Sequence, residues 1–247
     1  MSRTTRQGFR TALPLFALCL ASAATAQEVA EIPFFTAPQG SAALGGGLRS
    51  GQNPYRASDN EDQRLADLIP LYLYEGKYLF ARGTSGGIHV LRNDTLEFNL
   101  YSRYRFQRLD PDSNEFYTGI EERKQSVDAG IEFGLTQPWG ELKLDWVADV
   151  LDRHKGQEVR ASYRYPIEAG PWSLSPFISW TWQDDNLSNY YFGVSEAEAT
   201  IDRPAYLPGE SQWVSFGLNA AWQASDRIVW FGNVAFAGAD SVITCLL

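Results

Sequence analysis

Residues 125–183 read QSVDAGIEFGLTQPWGELKLDWVADVLDRHKGQEVRASYRYPIEAGPWSLSPFISWTWQ, and this stretch decides the fold. It holds four runs of alternating chemistry. Val127, Ala129, Ile131, Phe133 and Leu135 alternate with Ser126, Asp128, Gly130, Glu132, Gly134 and Thr136. After the turn Gln137-Pro138-Trp139-Gly140, Leu142, Leu144, Trp146, Ala148 and Val150 alternate with Glu141, Lys143, Asp145 and Asp149. After Arg153-His154-Lys155-Gly156, Val159, Ala161, Tyr163, Tyr165 and Ile167 alternate with Glu158, Arg160, Ser162 and Arg164. After Glu168-Ala169-Gly170-Pro171, Trp172, Leu174, Ile178, Trp180 and Trp182 alternate with Ser173, Ser175, Ser179 and Thr181. A period of two is that of a β-strand, whose successive side chains point to opposite faces. The runs are about 10–13 residues long, against about 5–6 for strands of globular proteins. A strand tilted about 45° needs about 9–11 residues to cross a bilayer. One face is apolar, with large aromatics near the strand ends, and the other is charged, which is how a spanning barrel separates lipid from lumen. A soluble β-sandwich with one wet face is the competing reading, but its strands are shorter and its inward faces poorer in Trp and Tyr.

The rest of the chain agrees with the membrane reading. Residues 1–26 have the form of a secretory signal: Arg3, Arg6 and Arg10, an apolar run from Ala12 to Ala24, then Ala24-Thr25-Ala26 before Gln27. The apolar run is too short for a membrane-spanning helix of about 20 residues, and Leu18 before Cys19 does not suit a lipoprotein signal. The sequence thus predicts a signal peptide over 1–26 and a barrel domain over 27–247, with 27–40 as a periplasmic lead-in. Only helices and closed barrels satisfy backbone hydrogen bonds in lipid, and exported barrels of this kind sit in the bacterial outer membrane. The expected fold class is all-β, an antiparallel transmembrane β-barrel of about 10–12 strands. The signal carries three of the 21 basic residues and none of the 30 acidic ones, so the remainder has 18 against 30, a charge of −12. That excludes nucleic acid, whose phosphates need a basic face. Cys245 alone remains after the signal, so no disulfide framework or thiolate metal site is expected.

Further strands are predicted over Ser41–Ser50, Leu68–Tyr74, Thr95–Gln107, Asn189–Val194, Ser211–Gln223 and Arg227–Gly238. Pro70 marks an edge or a bulge. Tyr78–Arg82 and Gly86–Arg92 form a hairpin or one bent strand. Gly51–Asp67, with Asp59-Asn60-Glu61-Asp62, reads as a solvated loop without calcium-loop spacing.

Several phrases in order resemble the MltA-interacting protein (MipA/OmpV) family of outer-membrane proteins. They are Leu48-Arg49-Ser50 with Asn53-Pro54-Tyr55 and Ser58-Asp59; Leu68-Ile69-Pro70 with Tyr74-Glu75-Gly76-Lys77-Tyr78-Leu79-Phe80-Ala81-Arg82-Gly83; Asp149-Val150 with His154-Lys155-Gly156. The most specific is Tyr190-Tyr191-Phe192-Gly193-Val194-Ser195-Glu196-Ala197-Glu198-Ala199, then Arg203, Tyr206 and Pro208-Gly209. Asp240-Ser241-Val242-Ile243 is similar to the family's late motif. The resemblance implies an outer-membrane barrel without known catalysis. The name-giving member is regarded as a scaffold linking a murein-cleaving lytic transglycosylase to a murein synthase. Family chains continue past the Asp-Ser motif into a closing strand with an aromatic end, whereas this sequence stops at Thr244-Cys245-Leu246-Leu247. Either the closing strand is missing, or Arg227–Gly238 must close the barrel.

Candidate sites follow from these readings. Arg103, Arg105, Arg160 and Arg164 are expected in the lumen facing Glu132, Glu141 and Asp145, as a structural ion-pair network or as the constriction of a small-solute pore. The long charged loop Ser195–Glu210, with Ser195, Glu196, Glu198, Arg203 and Tyr206, is the candidate partner loop; the alternative is a loop that only plugs or caps the lumen. A count of twelve strands from a periplasmic N-terminus puts this loop on the periplasmic side, where murein hydrolases or synthases would meet it. Reading 78–92 as one strand reverses the side. His89 and His154 are the only histidines, and His154 reads as a turn residue at the membrane surface. Ser162 follows it on the polar face, which does not suit a lipid-cleaving Ser-His pair. Asp149/Asp152 and Glu196/Glu198 are pairs any acidic chain provides. The sequence thus predicts no enzyme, no cofactor and no metal. It predicts an outer-membrane barrel in contact with lipid that serves as a scaffold for murein-remodelling enzymes, with a small-solute pore as the alternative.

Overall fold

The computed structural model describes residues 13–14, 39–52, 64–113, 115–225 and 228–239. Twelve antiparallel strands form one sheet. They are β1 Ala42–Gln52, β2 Arg64–Glu75, β3 Leu79–Arg82, β4 Ser85–Arg92, β5 Leu96–Arg105, β6 Ser126–Gln137, β7 Gly140–Asp149, β8 Gln157–Arg164, β9 Ile167–Ala169, β10 Trp172–Gln183, β11 Ser211–Ser225 and β12 Ile228–Ala239. Each strand pairs with its neighbour in chain order, except that β8 and β9 both pair with β10. Pro166, which has no N–H for the ladder, separates β8 from β9. Leu13–Pro14 makes a two-residue parallel bridge to Ala43 and Leu44. The rest of the predicted signal, most of the lead-in, the acidic stretch 59–62 and residues 240–247 lie outside the described residues.

The two faces of the sheet are reversed relative to a soluble protein. Leu144, Trp146, Ile178, Trp180, Val214, Phe216, Trp222, Trp230 and Phe236 point outward and are exposed. Asn99, Arg103, Arg105, Asp128, Glu132, Asp145, Glu158, Thr181, Ser215, Asn219 and Asn233 point inward and are buried. Exposed apolar side chains around a buried polar interior suit a molecule whose solvent is lipid. The sheet is also curled. Arg103 on β5 donates to Glu158 on β8 at 2.8 Å, and Arg82 on β3 reaches Glu132 on β6 at 3.4 Å. Each pair is three strands apart, roughly 14 Å in a flat sheet, so the polar face must be concave. This is the architecture of a transmembrane β-barrel. Among the described residues no ladder joins β12 to β1, and no helix is long and apolar enough to cross a membrane.

The register divides the connections between two ends. The turns after β2, β4, β6, β9 and β11 are short, and the sheet also begins at this end, where Ala42 pairs with Tyr74. Asn93 builds one such turn by accepting from the N–H groups of Thr95 and Leu96. Gly140 closes another at φ +136°, a backbone angle that side chains rarely allow. The opposite end carries Gly83-Thr84 between β3 and β4 and the long connections 106–125, 150–156 and 184–210. The segment 78–92 is thus a hairpin, although β3 has only four residues.

One predicted strand is not a strand. Asp185–Phe192 forms a helix, α1. Asp184 caps it by accepting from the Leu187 N–H at 2.9 Å, a role its short carboxylate fills well. Only Val194 of the predicted strand Asn189–Val194 pairs as β-structure, in a bridge with Tyr206. Because α1 does not cross the membrane, Ser195–Glu210 stays at the end opposite Ala42. The count of twelve strands from the sequence places it with the N-terminus, because it takes 189–194 as a further crossing strand.

Candidate functional site

The interior is crossed by a charged network that begins just beneath the long connections. Glu158 is its hub. It accepts from Arg103 at 2.8 Å, Arg105 at 3.0 Å, Arg160 at 3.0 Å and the Gln183 amide at 2.9 Å. Asp128 accepts from Arg105 at 2.6 Å and faces His154 Nε2 at 3.0 Å. Asp145 lies directly across the ladder from Arg160. Lower down, Lys143 pairs with Glu132, and Arg164 pairs with Glu141. Near the turn end, fully buried Glu75 accepts from Arg82 at 3.0 Å and Arg92 at 2.6 Å and meets His89 Nε2 at 2.9 Å. Each charge is matched because an unpaired charge away from water costs several kcal/mol (about 3–5).

The structure therefore places all seven predicted lumen residues, Arg103, Arg105, Glu132, Glu141, Asp145, Arg160 and Arg164, on the inward side. Arg164 pairs with Glu141 and Arg160 lies across from Asp145 as expected, whereas Arg103 and Arg105 pair elsewhere. The arginines of the upper part meet on Glu158 and Asp128, which sit in the same inward phase as Arg160 and Glu132. Glu97 and Asn99, which alternate onto the polar face with Arg103 and Arg105, extend the network together with Glu75 and Arg82. Among the described residues the charges of this network are paired and form no unmatched ring of one sign.

The long connections close over this network as a lid. Glu198 clasps two of them. It accepts from Arg123 at 2.8 Å and from the Glu121 N–H at 2.9 Å in the 106–125 connection, and from the Ser195 N–H and hydroxyl in its own. Burial alone would raise the Glu198 carboxyl, but these donors outweigh it and hold it below the usual glutamate range. Arg203 donates to the Thr118 and Glu198 carbonyls at 3.2 and 2.8 Å. The Tyr191 hydroxyl donates to the Lys124 carbonyl at 3.0 Å, and burial pushes this phenol up. Of the predicted partner loop, Glu198 and Arg203 are thus buried rivets and Tyr206 is held in the bridge to Val194. Ser195 and Glu196 face solvent, although the Ser195 hydroxyl is engaged by Glu198.

His154 is buried under this lid, not at the membrane surface. Its neighbours Asp128 and Asp149 come close enough with it to suggest a cation site. The hydrogen bonds argue otherwise. The Gly156 N–H donates to His154 Nδ1 at 3.1 Å, so the neutral ring carries its proton on Nε2, which points at Asp128. The ring then offers no free lone pair to a metal. Asp149 is occupied by the Ser126 hydroxyl and by N–H groups of the 150–156 turn. Gly156 also explains the fit of turn to lid, since a Cβ there would strike Asp184 and Leu187 of α1. Ser162 faces inward beside Arg160 and Arg164, on the strand after His154, and forms no nucleophile–base pair with it.

Comparison with known proteins agrees with this architecture. The model of the family described as MltA-interacting protein MipA matches residues 44–244. The putative outer membrane protein YiaT of Escherichia coli (strain K12) is 27% identical over 238 residues, covering 95% of this chain and 90% of that protein. The outer membrane protein Omp26La of Vibrio anguillarum is 31% identical over 156 residues, 62% of this chain and 61% of the relative. The MltA-interacting protein of E. coli (strain K12) is 25% identical over 210 residues, 83% of each chain. No solved structure matches. The chain belongs to the MltA-interacting protein family and is an outer-membrane protein.

Proposed function

We propose that this protein is a non-enzymatic structural barrel that serves as an outer-membrane scaffold for murein-remodelling enzymes of the periplasm. The observation that carries this reading is the interior. Glu158 gathers Arg103, Arg105 and Arg160 from two walls of the barrel, and the lid closes over them, which leaves little for a transport path or a reacting substrate. In bacterial outer-membrane barrels the short turns face the periplasm and the longer loops the outside. By that rule the loop 195–210 faces away from murein, and the docking face is the turn end, where the chain enters the barrel. A relative named for its interaction with MltA supports the partner class.

The test is co-purification from detergent extract with a membrane-bound lytic transglycosylase added as a purified probe. The full chain is expected to retain the enzyme, and deletion of 196–209 is expected to leave retention unchanged. No retention by a chain that shows heat-modifiable mobility would overturn the scaffold reading. Loss of retention on deleting 196–209 would return the docking site to the lid.

A further inference from the structure

The lipid-facing surface carries a groove of about 490 Å³ that the scaffold reading does not use. That volume lies in the range of small-molecule sites, about 300–1,000 Å³. Its origin is one small residue in a row of large ones. The ladder sets Phe133, Leu144, Ala161, Trp180 and Val214 side by side across β6, β7, β8, β10 and β11. Ala161 contributes only a methyl between Leu144 and Trp180. The next row toward the turn end, Leu135, Leu142, Tyr163 and Ile178, forms the second wall. The side chains exposed around it are almost all apolar.

The position fixes what can fill it. Tyr163 stacks on Trp139 of the β6–β7 turn with ring centres 6.3 Å apart, and its hydroxyl donates to the Trp139 carbonyl at 2.6 Å. Such Trp and Tyr side chains mark the membrane–water boundary. The groove begins at this boundary and rises into the turn-side half of the apolar band. The geometry points to an acyl chain of a phospholipid in the periplasmic leaflet as its occupant. The drive is packing. A dent left empty in hydrocarbon forfeits van der Waals contacts along its lining, whereas apolar transfer adds nothing because the alternative surroundings are also lipid.

The experiment uses the full chain in phosphatidylethanolamine vesicles containing a phospholipid with a photoreactive diazirine midway along one acyl chain. Crosslinked peptides are then mapped by mass spectrometry. Labelling at Leu144, Tyr163 and Trp180 is expected to exceed that on the stacked Phe216/Phe236 pair several-fold. Ala161→Trp is expected to lower groove labelling several-fold and Ala161→Leu by less, in variants that keep heat-modifiable mobility; if the tryptophan does not fold, the leucine decides. Even labelling around the band, labelling unchanged by filling position 161, or crosslinks between copies of the chain at the groove would overturn the assignment.

Discussion

The two ends of the barrel are built on opposite plans. At the turn end the connections are short, and one is built locally where Asn93 folds back onto Thr95 and Leu96. At the lid end the connections are long, yet they are fastened to one another by Glu198, Arg123, Arg203 and Tyr191 and rest on buried charges. Length is therefore a poor measure of freedom. The segment 195–210 has the charge and length of an interaction loop, but two of its charged residues are used to hold it down.

The sharpest way to break this comparison concerns which end faces which compartment. In a Cys245→Ser background, Glu196→Cys is expected to react fully with a membrane-impermeant maleimide on intact cells. Thr95→Cys is expected to react only after the outer membrane is permeabilised. The reverse pattern would exchange the two ends and return 195–210 to the periplasm.

Next comes the network beneath the lid. Glu158→Leu leaves Arg103, Arg105 and Arg160 without their shared carboxylate, and the expected loss is about 3–5 kcal/mol. Urea unfolding followed by the heat-modifiable gel shift measures it, and a loss below about 1 kcal/mol would mean that the hub is dispensable.

The lid clasp should matter less, and it should depend on pH. Glu198 has a lowered carboxyl in the folded chain. Its contribution is thus complete above the ordinary glutamate value of about 4.3 and is lost as pH falls through its own lower value. Protease cleavage within 195–210 is expected to rise below about pH 4. Glu198→Gln is expected to weaken the clasp by about 1.5–3 kcal/mol and to flatten the pH response; a variant as acid-sensitive as the parent would assign that response elsewhere. Smallest of all is Asn93→Ala at the turn end, expected to cost about 0.5–1.5 kcal/mol by the same gel assay. A cost equal to that of Glu158→Leu would erase the contrast between the ends.

Much of this architecture is legible in the sequence, because a strand with one face in lipid and one in a polar interior must alternate strictly. The runs from 126 to 183, Leu96–Arg105, Ser211–Ser225 and Ile228–Ala239 all show that period. The helix at 185–192 is harder to read. Tyr190, Tyr191 and Phe192 favour a strand by composition, while the signal for a helix is the Asp184-Asp185-Asn186 start, where Asp184 caps Leu187. That single difference moved the following loop to the other end of the barrel. Partner choice in the interior is also hidden. Arg103 and Glu158 are 55 positions apart and meet only because the sheet curls. Alternation says that both point inward, but not that they touch. The groove at Ala161 depends on register across five strands, which no single run reveals.

A structural barrel needs an interior that is filled and closed. Planar-bilayer recording of the purified, heat-modifiable chain tests it. No stepwise conductance is expected from the parent or from the 196–209 deletion, because the Glu158 network lies below the lid. Stable conductance steps in the parent would contradict the structural-barrel reading and establish a small-solute pore in its place.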